Sequence, residues 1–152
     1  LEIIFRPELF QQVAPERFYR APEKLVYRFI ADHPIVAWDP SQTLTLNSGN
    51  ILIPMIPDMD MRYIMAVLNS RIIRFYYKKR FRSVKVLRSY LEQLPIPRVD
   101  SARMHRVTEL ANARMQAVTE EKIARLDSQI EEIMKDIFHI TEEEYAWILR
   151  ES

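Results

Sequence analysis

The sequence predicts an α+β fold: a small sheet of about four short strands with a covering helix, then a long, coiled-coil-like helical tail and a short C-terminal helix. Three observations carry this. Between Lys24 and Pro54, short runs rich in β-branched and aromatic residues alternate with turn formers. From Asp58 onward, apolar residues recur at spacings of three and four. Beyond Pro97 the chain contains neither glycine nor proline, and Ala, Glu, Arg, Met and Gln are frequent.

Residues 1–23 include Pro7, Pro15 and Pro22 with little periodicity, which predicts an extended entry segment. Strands are expected at Leu25–Ile30, Ile35–Trp38, Leu44–Leu46 and Ile51–Ile53. The groups Asp32-His33-Pro34, Asp39-Pro40-Ser41 and Asn47-Ser48-Gly49-Asn50 supply the turns between them. Asp58 or Asp60 can cap a helix whose stripe of Ile64, Val67, Leu68, Ile72 and Phe75 lies on the sheet, ending near Lys79. Lys79-Arg80-Phe81-Arg82-Ser83 then reads as a basic loop. A second short helix, from about Val86 to Gln93, is stopped by Pro95-Ile96-Pro97, since proline has no N–H to continue the ladder.

In the tail, Ile123, Leu126, Ile130, Ile133 and Ile137 alternate spacings of three and four, the mark of a coiled-coil seam. Met104, Val107, Ala111, Met115 and Val118 form an earlier seam whose phase slips between Thr119 and Lys122, so one kinked helix or two stacked helices would serve. Thr141-Glu142-Glu143-Glu144 is a capping box opening a last helix with Tyr145, Ile148 and Leu149 on one side.

Composition narrows the function. The 152 residues, 48% hydrophobic, suffice for one core. The absence of cysteine excludes a disulfide framework and a thiolate metal site, and His33, His105 and His139 are too dispersed to make a local ligand pair, so no metal is expected. No signal-peptide pattern and no bilayer-length apolar run occur, which predicts a cytoplasmic fragment without membrane contact. The net charge of +1 hides a split: residues 1–99 carry +6 and residues 100–152 carry −5. Most concentrated is Met61–Leu91, with no acidic residue and nine basic ones: Arg62, Arg71, Arg74, Lys78, Lys79, Arg80, Arg82, Lys85 and Arg88.

Parts needed for catalysis are missing. With Gly49 the one glycine, no backbone loop can approach a nucleotide or S-adenosylmethionine closely. A metal nuclease built on Asp58, Glu120 and Lys122 fits poorly, because Glu120 and Lys122 fall in a helical stretch. By contrast, the Arg71–Arg88 segment interleaves its cations with Phe75, Tyr76, Tyr77, Phe81 and Tyr90, a mixture that suits nucleic acid. Cations neutralise phosphates, arginine can grip a guanine edge, and rings anchor the loop. The plainer reading is a solvated helix face over core aromatics.

The runs Lys24-Leu-Val-Tyr-Arg-Phe-Ile30, Leu44–Pro54, Val67-Leu-Asn-Ser-Arg-Ile-Ile-Arg-Phe-Tyr-Tyr77 and Val84–Pro97 resemble the TaqI-like C-terminal specificity domain. The tail Ile130–Glu144 is similar to the closing helices of such proteins and of type I specificity subunits. The resemblance implies a DNA target recognition domain over residues 1–99 followed by a helical tail over 100–152. The parent would be a restriction-modification adenine-N6 methyltransferase, in some members fused to a type II endonuclease. Its catalytic domain, with S-adenosylmethionine, would precede Leu1. One departure is His139, standing where the family's closing signature has glycine; the helix end there is expected to differ.

Lys78, Lys79, Arg80, Arg82, Lys85 and Arg88 have no evident packing role that needs a charge, so they are the expected contacts to double-stranded DNA. Lys24 and Arg28, on one face of the first strand, join them. Asn69 and Ser70 are expected to bond neighbouring backbone, Leu94–Pro97 to clip the tail to the globular part, Trp38 to sit in the core, and Trp147 to pack the last helix on the seam. The rival reading is a protein-interaction module in which the seam pairs two copies or clamps a partner and the basic face is incidental.

Overall fold

The computed structural model describes residues 17, 20–41 and 49–152. The sheet has three antiparallel strands among these residues, β1 (Lys24–Arg28), β2 (Val36–Asp39) and β3 (Gly49–Leu52), in the order β2-β1-β3. The expected strand at Leu44–Leu46 lies outside the described residues. Register puts Leu25 and Tyr27 opposite Trp38 and Val36 on one side and Leu52 and Asn50 on the other, so one face of the sheet is apolar.

That face is covered by α1 (Met61–Leu68), capped by Asp60, whose carboxylate accepts from the Arg62 N–H at 2.8 Å. Every residue from Tyr63 to Leu68 is buried, because α1 is covered on one flank by β1 and β2 and on the other by α4 (Ser101–Gln116). Its apolar run therefore serves two layers, and the core is continuous from Leu25 in the sheet to Val107, Met134 and Ile148 in the tail.

The apolar stripe predicts one helix to Lys79; the chain instead forms two, α1 and α2 (Arg71–Phe81), separated at Asn69 and Ser70. Short polar side chains compete for the backbone and favour caps over helix interiors, and both residues do so here. Buried Ser70 caps α2, its hydroxyl accepting from Ile73 N–H at 3.3 Å and donating to the Val67 carbonyl at 2.7 Å. The Asn69 amide accepts from Val36 N–H at 2.9 Å and donates to the Val36 carbonyl at 2.8 Å. The register of β1 and β2 points those two Val36 groups away from β1, so Asn69 satisfies the outer edge of β2.

Helix α2 runs through Phe81 and ends on Arg82 in the left-handed region, φ 44° and ψ 48°. Lys79, Arg80 and Phe81 thus belong to its last turn rather than to a loop. The next helix, α3, is shorter than expected (Arg88–Leu91). The Leu94–Pro97 segment is fixed by Tyr63, whose hydroxyl donates to the Pro97 carbonyl at 2.7 Å; burial pushes that phenol up to about 12.

The tail is a helical hairpin, not one kinked helix. Helix α4 leads through Thr119, which caps α5 (Glu120–Ile137), at the point where the seam slips phase. Ion pairs Arg103–Asp136 at 3.1 Å and Arg114–Asp127 at 2.7 Å join opposite ends of the two helices, which makes them antiparallel. Of the seam, Leu126 and Ile137 are buried within the chain and Ile123, Ile130 and Ile133 are partly buried. Last comes α6 (Glu142–Glu151), where Thr141 and Glu144 form the expected capping box. The Trp147 ring meets Phe75 of α2 edge-on, centroids 5.1 Å apart.

His139 keeps the left-handed backbone, φ 54°, that a glycine would favour. The Ile140 N–H bonds the Lys135 carbonyl at 2.8 Å and the His139 N–H bonds that of Asp136 at 3.2 Å, a Schellman closure. Two stability outcomes are expected in thermal or urea unfolding. His139→Gly relieves the backbone cost and stabilises by about 1 kcal/mol. Asn69→Ala leaves both Val36 groups without their partner and destabilises by roughly 1–3 kcal/mol.

Candidate nucleic-acid interface

The connection from α2 to α3 is built on aromatic rings. Tyr77 packs on Phe81 at 4.9 Å, and Phe81 stacks on Tyr90 of α3 at 4.3 Å with planes 16° apart. The Tyr77 hydroxyl donates to the Lys85 carbonyl at 3.2 Å, and burial pushes this phenol up to about 12. The far side of the connection is held by the sheet: Ala31 N–H bonds the Val84 carbonyl at 3.1 Å, Val86 N–H bonds the Phe29 carbonyl at 2.7 Å, and Ile30 faces Lys85 in an antiparallel bridge. Residues 84–86 thus continue the β3 side of β1 beyond Gly49. Ser83 closes the turn, its hydroxyl accepting from Lys85 N–H at 3.1 Å.

The eight cations expected to meet DNA do not form one surface. Lys24 is a correction: fully buried, its ammonium lies 2.8 Å from the carboxylate of Asp39, its register partner on β2. Alternation does put Lys24 and Arg28 on one face of β1, but Lys24 stands about 13 Å along the strand from exposed Arg28. Burial pushes the Asp39 carboxyl up, yet hydrogen bonds from Lys24 and Ser41 outweigh it and hold the group at about 2.

Lys78, Lys79 and Arg80 fan out around the end of α2. Lys78 meets Asp32 in the β1–β2 turn at 3.3 Å, Lys79 meets Glu151 of α6 at 3.4 Å, and Arg80 donates to the Gln93 amide oxygen after α3 at 3.3 Å. Arg88 pairs with Glu92 one turn along at 3.0 Å. An acid-free stretch of sequence is therefore not acid-free in space. Nor are these charges without a structural role: Lys78, Lys79 and Arg80 sit in the last turn of α2, where cations complement the helix dipole by about 0.3–1 kcal/mol each.

What remains is smaller and better defined. Among the described residues Arg28, Arg80, Arg82 and Lys85 make no ion pair, and all are exposed. The Lys85 ammonium stands over the Phe29 ring at 5.7 Å, and the Arg80 guanidinium over Phe81 at 5.6 Å. Ile30 and Val84 are exposed beside them, 56% and 72%, which makes the patch mixed cationic and apolar rather than purely basic. Sequence reasoning passed over Gln93 and Ser83, which steady Arg80 and the loop; the polar residues flanking a helix break were the available signal.

Elsewhere the charges are structural. Glu131 of α5 accepts from Arg71 N–H, the first amide of α2, at 3.1 Å and from the Tyr145 hydroxyl at 2.9 Å; burial raises its pKa. No three His, Asp or Glu side chains among the described residues are grouped to hold a metal ion, and no described helix is long and apolar enough to cross a membrane.

The family model of the TaqI-like C-terminal specificity domain matches residues 3–96. No curated protein matches the chain. Specificity domains of this kind serve DNA target recognition in restriction-modification systems and are not themselves catalytic.

The Lys24–Asp39 pair gives a check independent of DNA. Lys24→Ala leaves the Asp39 charge without its cation and is expected to cost roughly 3–5 kcal/mol in urea unfolding. In the wild type, the depressed Asp39 pKa contributes stability that is fully present above 3.8, its ordinary value, and is lost as the pH falls through about 2. An acid limb that is unchanged in Lys24→Ala would show that the pair does not set it.

Proposed function

Because the chain belongs to the TaqI-like C-terminal specificity domain family, we propose that it reads the target site for an adenine-N6 DNA methyltransferase on the same polypeptide, with the α2–α3 connection against the duplex. The carrying observation is that exposed Arg28, Arg80, Arg82 and Lys85 make no ion pair among the described residues, while the aromatic stack on α3 and the bridge to β1 hold the α2–α3 connection in place. Lysine and arginine contacts to phosphate release counterions and fix register, while a subset of side chains addresses base edges. Recognition would then leave an adenine positioned for flipping into the other domain's pocket.

S-adenosylmethionine belongs with that other domain, since a chain with a single glycine offers no close-approach loop for it. The cytoplasm is the compartment in which this reading places the chain. A homodimer through the tail is the weaker reading, because Leu126 and Ile137 of the seam are already buried within the chain and Ile123, Ile130 and Ile133 are partly buried.

Binding of fluorescent duplex DNA, titrated between 50 and 200 mM salt, tests the proposal. The wild type is expected to lose affinity steeply with salt, and the double variant Arg80→Ala/Lys85→Ala to lower the slope of log K against log salt by about two. Lys24→Ala, corrected for any unfolded fraction, should leave the slope unchanged. A wild-type slope near zero would overturn the DNA reading.

A further inference from the structure

Arg82 differs from the other cations between Lys78 and Arg88 in two respects. Lys78, Lys79, Arg80, Lys85 and Arg88 are each held by an acid, an amide or a ring, whereas exposed Arg82 has no such partner among the described residues. It also occupies the left-handed backbone, φ 44°, which costs an L-residue with a Cβ and which glycine would accept freely. Its side chain is free while its backbone is constrained. Two residues on, Val84 is 72% exposed, although its own carbonyl is bonded to Ala31 N–H at 3.1 Å. A β-branched apolar side chain is thus held out in solvent by a fixed backbone.

The flanks of this prong are rigid on both sides. The Tyr77, Phe81 and Tyr90 rings lock the end of α2 to α3, and the bridge of Lys85 to Ile30 locks the far side to β1. A phosphate contact tolerates a loose cation, because its electrostatics are long-ranged and indifferent to angle. Reading a base edge needs geometry: arginine must meet guanine O6 and N7 with two parallel hydrogen bonds, and an apolar group must touch a thymine methyl. Strained, preorganised backbone at an exposed tip fits the second task and adds nothing to the first.

We propose that Arg82 and Val84 are the base-reading pair of this chain, Arg82 for a guanine edge and Val84 for a thymine methyl in the major groove, while Arg80 and Lys85 anchor phosphates. The inference rests on the DNA reading above and assigns roles within it.

Selection from a randomised double-stranded library separates the two levels. The wild-type chain should enrich a short motif containing a G·C pair and a thymine. Arg82→Gly suits the left-handed backbone, so it should unfold at a higher temperature than the wild type yet lose preference at that G·C pair by roughly 5- to 150-fold. Lys85→Ala should keep the motif and lose affinity uniformly. Substituting deoxyuridine for the enriched thymine, which removes only the methyl, should weaken the wild type and leave Val84→Ala unaffected. If Arg82→Gly binds more weakly but enriches the same motif, Arg82 is a phosphate contact and the inference falls while DNA binding stands. Salt-dependent binding without any enriched motif also overturns it. Salt-independent binding by the wild type removes the DNA reading itself.

Discussion

Burial of α1 on two flanks is the constraint from which the other placements follow. A helix buried from Tyr63 through Leu68 must be covered both by the sheet and by α4, so the tail cannot swing away without exposing the middle of the core. Arg62 reinforces the arrangement from the helix start. Its guanidinium donates to Asn112 of α4 at 3.1 Å and lies over the Trp38 ring of β2 at 5.1 Å, touching both layers at once. The chain can leave this sandwich only where helical hydrogen bonding is given up, and Asn69 and Ser70 are the residues that make this cheap.

That exit sets the direction of α2, and so where its cations go. The N-terminus of α2 is tied to the tail by Glu131, its middle by the Phe75–Trp147 contact, and its end by the aromatic stack on α3. A helix fixed at three levels has little freedom to swing Arg80 or the following loop. The acidic tail thereby does more than balance charge: Glu131 and Glu151 each hold a specific group of α2.

Much of this architecture was legible in the sequence, and the exceptions have physical causes. Strands β1 and β2, the helical character of the tail and the capping box at Thr141 follow from period and cap chemistry, which are local. The division at Asn69 was hidden because the apolar stripe runs through it in phase; what breaks the helix is an edge of β2 that is distant in sequence. Lys24 looked like a surface cation because strand alternation gives the face but not the depth. The partners of Lys78, Lys79 and Arg88 were invisible for two reasons: Asp32 and Glu151 are brought in by folding, and Glu92 begins one residue past the acid-free run. The hairpin became readable only as a phase slip, and the slip alone cannot tell a kink from a reversal.

The continuity of the core bears on how such proteins could exchange specificities. A graft that carries the sheet and basic loop but severs the chain at the Pro95–Pro97 clip would strip one wall from α1 and leave Tyr63 without the carbonyl it holds. The transplantable unit is the sheet together with its hairpin, and shuffling at that larger seam would change the prong while conserving the scaffold that aims it.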